Sequence, residues 1–166
     1  MIADKKTNIP SRERQPSRLS ILPRNQRSRR LDEPVLRFSP YAWAKLLFFR
    51  DRGPTEIGGF GITAANDPLY VVDFQTIPQA ATCVTIALDD SAVADYLDSQ
   101  VDAGRKPAEV LRLWIHTHPG NSPQPSSVDE EMFRRVFGPS DYAIMAILAR
   151  GGKKYGRLRF NAGPGG

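Results

Sequence analysis

His116 and His118 are the only two histidines in the 166-residue chain, and both stand in one tripeptide, His116-Thr117-His118. The run before them, Leu111 to Ile115, is apolar and predicts a strand. Side chains alternate faces along a strand, so both imidazoles project the same way and can share one ion. Pro119 predicts the end of that strand, and Gly120 to Pro125 a polar loop rich in turn formers. Ser126 and Ser127 then open a helix that carries Asp129 in its first turn. Two imidazoles and a carboxylate form an N/N/O set that leaves a fourth tetrahedral position for water. That is the pattern of a catalytic zinc rather than a structural one.

Two blander readings stand beside this one. A histidine taken singly is more often a satisfied core residue than a ligand. The stretch Ser126 to Glu130 also carries two capping-box spacings, Ser126 with Asp129 and Ser127 with Glu130, and acids in a first turn suit the helix dipole. Ser127 with Glu130 can do the capping, which leaves Ser126 and Asp129 free for chemistry. Capping and metal binding can also coexist.

The pattern His116-x-His118-Pro119, six residues, Ser126, two residues, Asp129 resembles the JAMM (MPN-plus) signature of zinc isopeptidases. That family also places a glutamate upstream, and Pro54-Thr55-Glu56-Ile57-Gly58-Gly59-Phe60-Gly61 fits its slot. The resemblance spans roughly residues 36 to 160 and leaves out the first thirty. It implies an MPN fold, which is a cytidine-deaminase-like mixed β-sheet flanked by helices. It implies one Zn2+ held by His116, His118 and Asp129. Glu56 becomes the general base and then acid, and Ser126 the hydrogen-bond donor to the tetrahedral oxyanion. The implied substrates are ubiquitin-like proteins or their conjugates, cut after a C-terminal Gly-Gly in deconjugation or precursor processing. Gly58 and Gly59 would give an extended substrate chain close access. The short stretches around the motif look more like stand-alone prokaryotic members than like subunits of large complexes.

Three rivals share parts of this pattern. A zinc deaminase is near in fold, but its His-x-Glu and Pro-Cys-x-x-Cys signatures are not present. A non-catalytic MPN scaffold that binds partners usually lacks ligands, and here every expected one is present. A zinc hydrolase of small amides would share the whole site.

The formal charge of +5 needs dividing. Residues 1 to 31 hold nine Lys or Arg against Asp4 and Glu13, a balance of +7, so residues 32 to 166 carry −2. The basic character belongs to the tail, which argues against a nucleic-acid face on the folded part. Residues 1–33 are polar and broken by Pro10, Pro16 and Pro23, with Leu19, Ile21 and Leu22 the only apolar patch. They are expected to be a disordered tail, with an arm for nucleic acid or an acidic partner as the sharper alternative. Residues 34–166 are expected to form the metallopeptidase domain. A single cysteine, Cys83, excludes an internal disulfide framework and fits a reducing compartment, so a cytoplasmic location is expected. No apolar run reaches the length of a membrane span. The terminal Gly165-Gly166 resembles the tail of a ubiquitin-like modifier, though glycine-rich ends are common for other reasons.

The elements that must position these residues follow from caps and periodicity. Ser39-Pro40 predicts a helix start, with Trp43, Leu46, Leu47 and Phe49 offered to a core. Strands are predicted at Glu56 to Ile62, Leu69 to Ile77 and Cys83 to Leu88, with a break at Pro78 to Thr82 and Cys83 in the core. A helix from Asp89 or Asp90 to about Ala103 carries Val93, Tyr96, Leu97 and Val101 on one stripe. Val128 to Phe137 predicts a helix, Tyr142 to Leu148 a doubly covered strand, and Tyr155 to Phe160 a last strand. The order gives an α/β protein with a mixed sheet flanked by helices.

Overall fold

Six strands form the sheet that carries both histidines. The computed structural model describes residues 34–163; the tail expected to be disordered at 1–33 and the terminal Gly165-Gly166 lie outside the described residues. In chain order the elements are β1 (Arg37–Phe38), α1 (Pro40–Asp51), β2 (Ile57–Ala64), β3 (Asp67–Thr76), β4 (Gln79–Ala81) and β5 (Ile86–Leu88). They continue with α2 (Asp90–Asp102), α3 (Pro107–Val110), β6 (Leu113–His118), α4 (Ser127–Phe137), β7 (Tyr142–Ala149) and β8 (Lys154–Phe160). The main sheet runs β1-β3-β2-β6-β7-β8, and β4 and β5 form a separate ribbon. Pairs β1–β3 and β6–β7 are parallel, whereas β2–β3, β2–β6 and β7–β8 are antiparallel. The mixed α/β class read from the sequence is thus what the chain adopts.

Alternation along β6 divides its side chains between two cores. Leu113 and Ile115 face α1, packing with Ala42, Leu46 and Phe74. Trp114 faces the other way, with Phe60 and Tyr96 and with Phe133 and Phe137 of α4. His116 and His118 continue the Trp114 face, which puts them beneath α4. Helix α1 starts where the sequence says it should: Ser39 accepts from the Ala42 N–H at 3.1 Å, and Pro40 needs no N–H partner at the first position. Helix α2 is capped by Asp89 and ends at Gly104, whose φ of 81° suits a residue without a Cβ. Among the described residues no helix is long and apolar enough to cross a membrane.

Four expectations need correction. The third strand is not Cys83 to Leu88: only Ile86–Leu88 is extended, and it pairs with Gln79–Ala81, which lies inside the predicted break. Cys83 consequently sits in the connecting turn and is exposed rather than in the core. Val101 on α2 is 47% exposed and drops out of the stripe, whereas Tyr96 is buried, Val93 and Leu97 pack against the core, and Ala92 joins them. Glu56 lies just before β2 rather than within it, because the strand begins at Ile57.

Candidate metal centre

Helix α4 delivers the carboxylate. Its buried residues are Asp129, Met132, Phe133, Val136 and Phe137, the three-and-four spacing of a single helix face. Asp129 occupies the first place on that apolar stripe, so packing the helix on the sheet drives its carboxylate towards β6. His116, His118 and Asp129 meet there, with one ligand atom from each lying within 4.8 Å of the others. His116 Nε2 is 3.6 Å from Asp129 Oδ1, and His118 Nε2 is 3.8 Å from Asp129 Oδ2. His116 and Asp129 are fully buried, and His118 almost so.

The capping question resolves against the simpler division of labour. Ser126, not Ser127, is the N-cap: its Oγ accepts from the Asp129 N–H at 3.2 Å. Asp129 Oδ2 in return accepts from the Ser126 N–H at 2.7 Å and from Ser126 Oγ at 2.8 Å. Glu130 is drawn off to β8, where Arg157 holds it through two hydrogen bonds of 2.8 and 2.7 Å. The capping residue pair and the carboxylate that could ligate a metal therefore meet on the same aspartate. One oxygen seats the helix, and Oδ1 is left without a hydrogen-bond partner. The single hydroxyl proton of Ser126 points at Asp129, so donation to a substrate oxygen requires that bond to be released.

Glu56 arrives from the other side of β6. Its Oε1 stands 3.5 Å from His118 Nε2, and the carboxylate is only 2% exposed. Three contacts fix it there, and none was apparent in the sequence. The Glu56 N–H donates to Thr82 O at 2.8 Å. Gln79 clamps Gly58, accepting from its N–H at 2.8 Å and donating to its carbonyl at 2.9 Å. Thr117 Oγ1 accepts from the Ile57 N–H at 3.2 Å. Thr117 thus ties the strand bearing the histidines to the residue beside Glu56. Gly58 and Gly59 are required by the protein's own close packing. A Cβ on Gly58 would lie 2.8 Å from Ile86 Cδ1, and one on Gly59 would lie 2.1 Å from Gln75 O, so both make room for the protein's own chain.

The electrostatics suit a cation. Burial holds the His116 imidazole below its ordinary pKa despite the pull of Asp129, which keeps it in the neutral, ligating form. Burial works to raise Asp129, but the neighbouring His116 ring and the hydrogen bonds from Ser126 outweigh it and hold the carboxyl below its ordinary pKa. Glu56 is pushed up to about 8 by burial and then by the negative charge of Asp129. His118 Nδ1 lies 2.9 Å from Ser122 O; as the N–H donor there, it leaves Nε2 as a lone pair facing the cluster. Trp114 stacks on His116 at 4.3 Å between ring centroids and fixes the ring plane.

A fit test follows from the polar atoms left over. Both ring nitrogens of His116, His118 Nε2, Asp129 Oδ1 and Glu56 Oε2 are buried without a hydrogen-bond partner. Buried polar atoms are ordinarily paired, and each orphan is costly. A tetrahedral zinc with ligands at about 2.0–2.2 Å holds neighbouring ligand atoms roughly 3.3–3.6 Å apart. The 3.6 Å from His116 Nε2 to Asp129 Oδ1 already falls in that range, and the whole group lies within 4.8 Å. The three residues can hold a metal ion, and the donor set satisfies most of the orphans at once. Comparison with models of known protein families and with curated proteins returns no match.

Proposed function

We propose that this chain is a zinc-dependent isopeptidase or peptidase of the JAMM type, with the MPN variant of the mixed α/β fold. Its substrate is a ubiquitin-like protein or conjugate, cut after the C-terminal Gly-Gly. The observation that carries the reading is the juxtaposition of Glu56 with the buried His116, His118 and Asp129 group, from three separate segments of chain. A scaffold has no use for a desolvated carboxylate beside such a cluster, whereas amide hydrolysis needs one.

His116, His118 and Asp129 would hold the ion. When bound, zinc supplies Lewis acidity that polarises a carbonyl and makes water acidic near neutral pH. Glu56 takes the proton from the attacking water and delivers it to the leaving amine. Its raised pKa favours the second task, and a dication in the cluster would draw it back towards the first. Ser126, once free of Asp129, donates to the oxyanion. The carboxylate works at the edge of a desolvated pocket, where a proton held at intermediate affinity can be both taken and returned.

The test is incubation of the full chain with a ubiquitin-like protein fused through Gly-Gly to a reporter, with and without chelator. Cleavage that the chelator abolishes and zinc restores supports the reading. Zinc bound without cleavage of this fusion or of small amides would indicate a scaffold.

A further inference from the structure

We propose that the cleft at the opposite end of β6 is a second binding site, shaped for a small organic anion. The cleft has a volume of about 310 Å³ and is lined by Arg105, Arg112, Thr63, Pro68, Leu113 and Tyr142 among others. Its size falls at the lower end of the range for small-molecule pockets. Arg112 lies over the Tyr142 ring, 4.7 Å from its centroid, and its Nε is buried without a hydrogen-bond partner. Arg105 donates to Gln100 Oε1 at 2.8 Å, a neutral partner. Among the described residues neither guanidinium has an acid within ion-pair distance, whereas Arg37, Arg135 and Arg157 are paired with Asp67, Asp90 and Glu130.

Two guanidinium groups on one concave wall present forked N–H donors suited to a carboxylate or phosphate. Pro68, Leu113 and the Tyr142 ring offer the remaining wall to an apolar body. The chemistry therefore selects one anionic head on a compact apolar group, not a bare ion. The base of the cleft is rigid: the Ile144 N–H donates to Arg112 O at 2.6 Å, and Leu113 pairs with Ile144 across β6 and β7. Six residues of extended strand separate Arg112 from His118, about 20 Å, so the two sites act independently.

Calorimetric titration of the full chain with benzoate, phenyl phosphate and inorganic phosphate tests this. At least one aromatic anion is expected to bind saturably, with a Kd on the order of 1 mM or tighter. Inorganic phosphate should bind more weakly. Arg112→Gln should weaken the aromatic anion about tenfold or more, and Arg105→Gln less. Protein stripped of metal and dialysed should bind it unchanged. No saturable binding of either aromatic anion overturns the proposal, as does wild-type affinity in both variants. Should Arg112→Gln not fold by circular dichroism, Arg105→Gln decides alone, and unchanged affinity there overturns the proposal.

Discussion

The two ends of strand β6 make opposite demands. At the His118 end, imidazoles and carboxylates converge with buried nitrogen and oxygen atoms left unpaired. At the Arg112 end, two guanidinium groups line a cleft, and among the described residues neither has an acid within ion-pair distance. Between the ends the strand is conventional: Leu113, Trp114 and Ile115 fill two cores, and Thr117 bonds to the neighbouring strand. The stable middle holds apart two termini that are each electrostatically incomplete. One end calls for a cation, the other for an anion, and each can be perturbed without the other.

The largest effect should come from removing a ligand at the first end. His116→Ala should lose its zinc by elemental analysis and lose Gly-Gly fusion cleavage to background, while keeping a wild-type circular dichroism spectrum. Stoichiometric zinc in that variant would break the cation half of the contrast. Glu56→Gln should keep the metal but cleave about 10²–10⁴-fold more slowly, since only the proton carrier is gone.

A third effect is visible without metal. Folding lifts Glu56 from 4.5 to about 8, so the folded state prefers its protonated form. The stability contribution is full below about pH 4.5 and is lost as pH rises towards 8. Urea midpoints of metal-free protein should therefore fall across that window, and Glu56→Gln should flatten the slope. Ser126→Ala should lower zinc affinity by roughly 10–100-fold through the freed Asp129, and stability by about 1 kcal/mol through the lost cap. The smallest change is expected for Thr117→Val. It should cost about 1 kcal/mol and reduce kcat by loosening Glu56, with zinc content unchanged.

The histidine pair was legible because strand alternation is a local rule, and so was the Ser39-Pro40 helix start. Asp129 carried a second local signal, its place on the stripe with Met132 and Phe133. The choice of cap was not legible. Both serines had an acid at the right distance, and the decision was made by Arg157, 27 residues beyond Glu130, which takes that acid away. The Gln79–Ala81 and Ile86–Leu88 ribbon was missed for a related reason. Three-residue strands have little periodicity of their own, and this ribbon is tied to β2 by the Gln79 side chain on Gly58, a contact distant in sequence.

The reciprocal bonds between Ser126 and Asp129 have an engineering corollary. The rotamer of the candidate ligand carboxylate is held by bonds within four consecutive residues, while packing of the helix on the sheet aims the whole turn at the histidines. Grafted onto the first turn of an unrelated helix that faces an exposed pair of imidazoles, the tetrapeptide should bring its oxygen in already aimed, a portable third claw for building metal sites elsewhere.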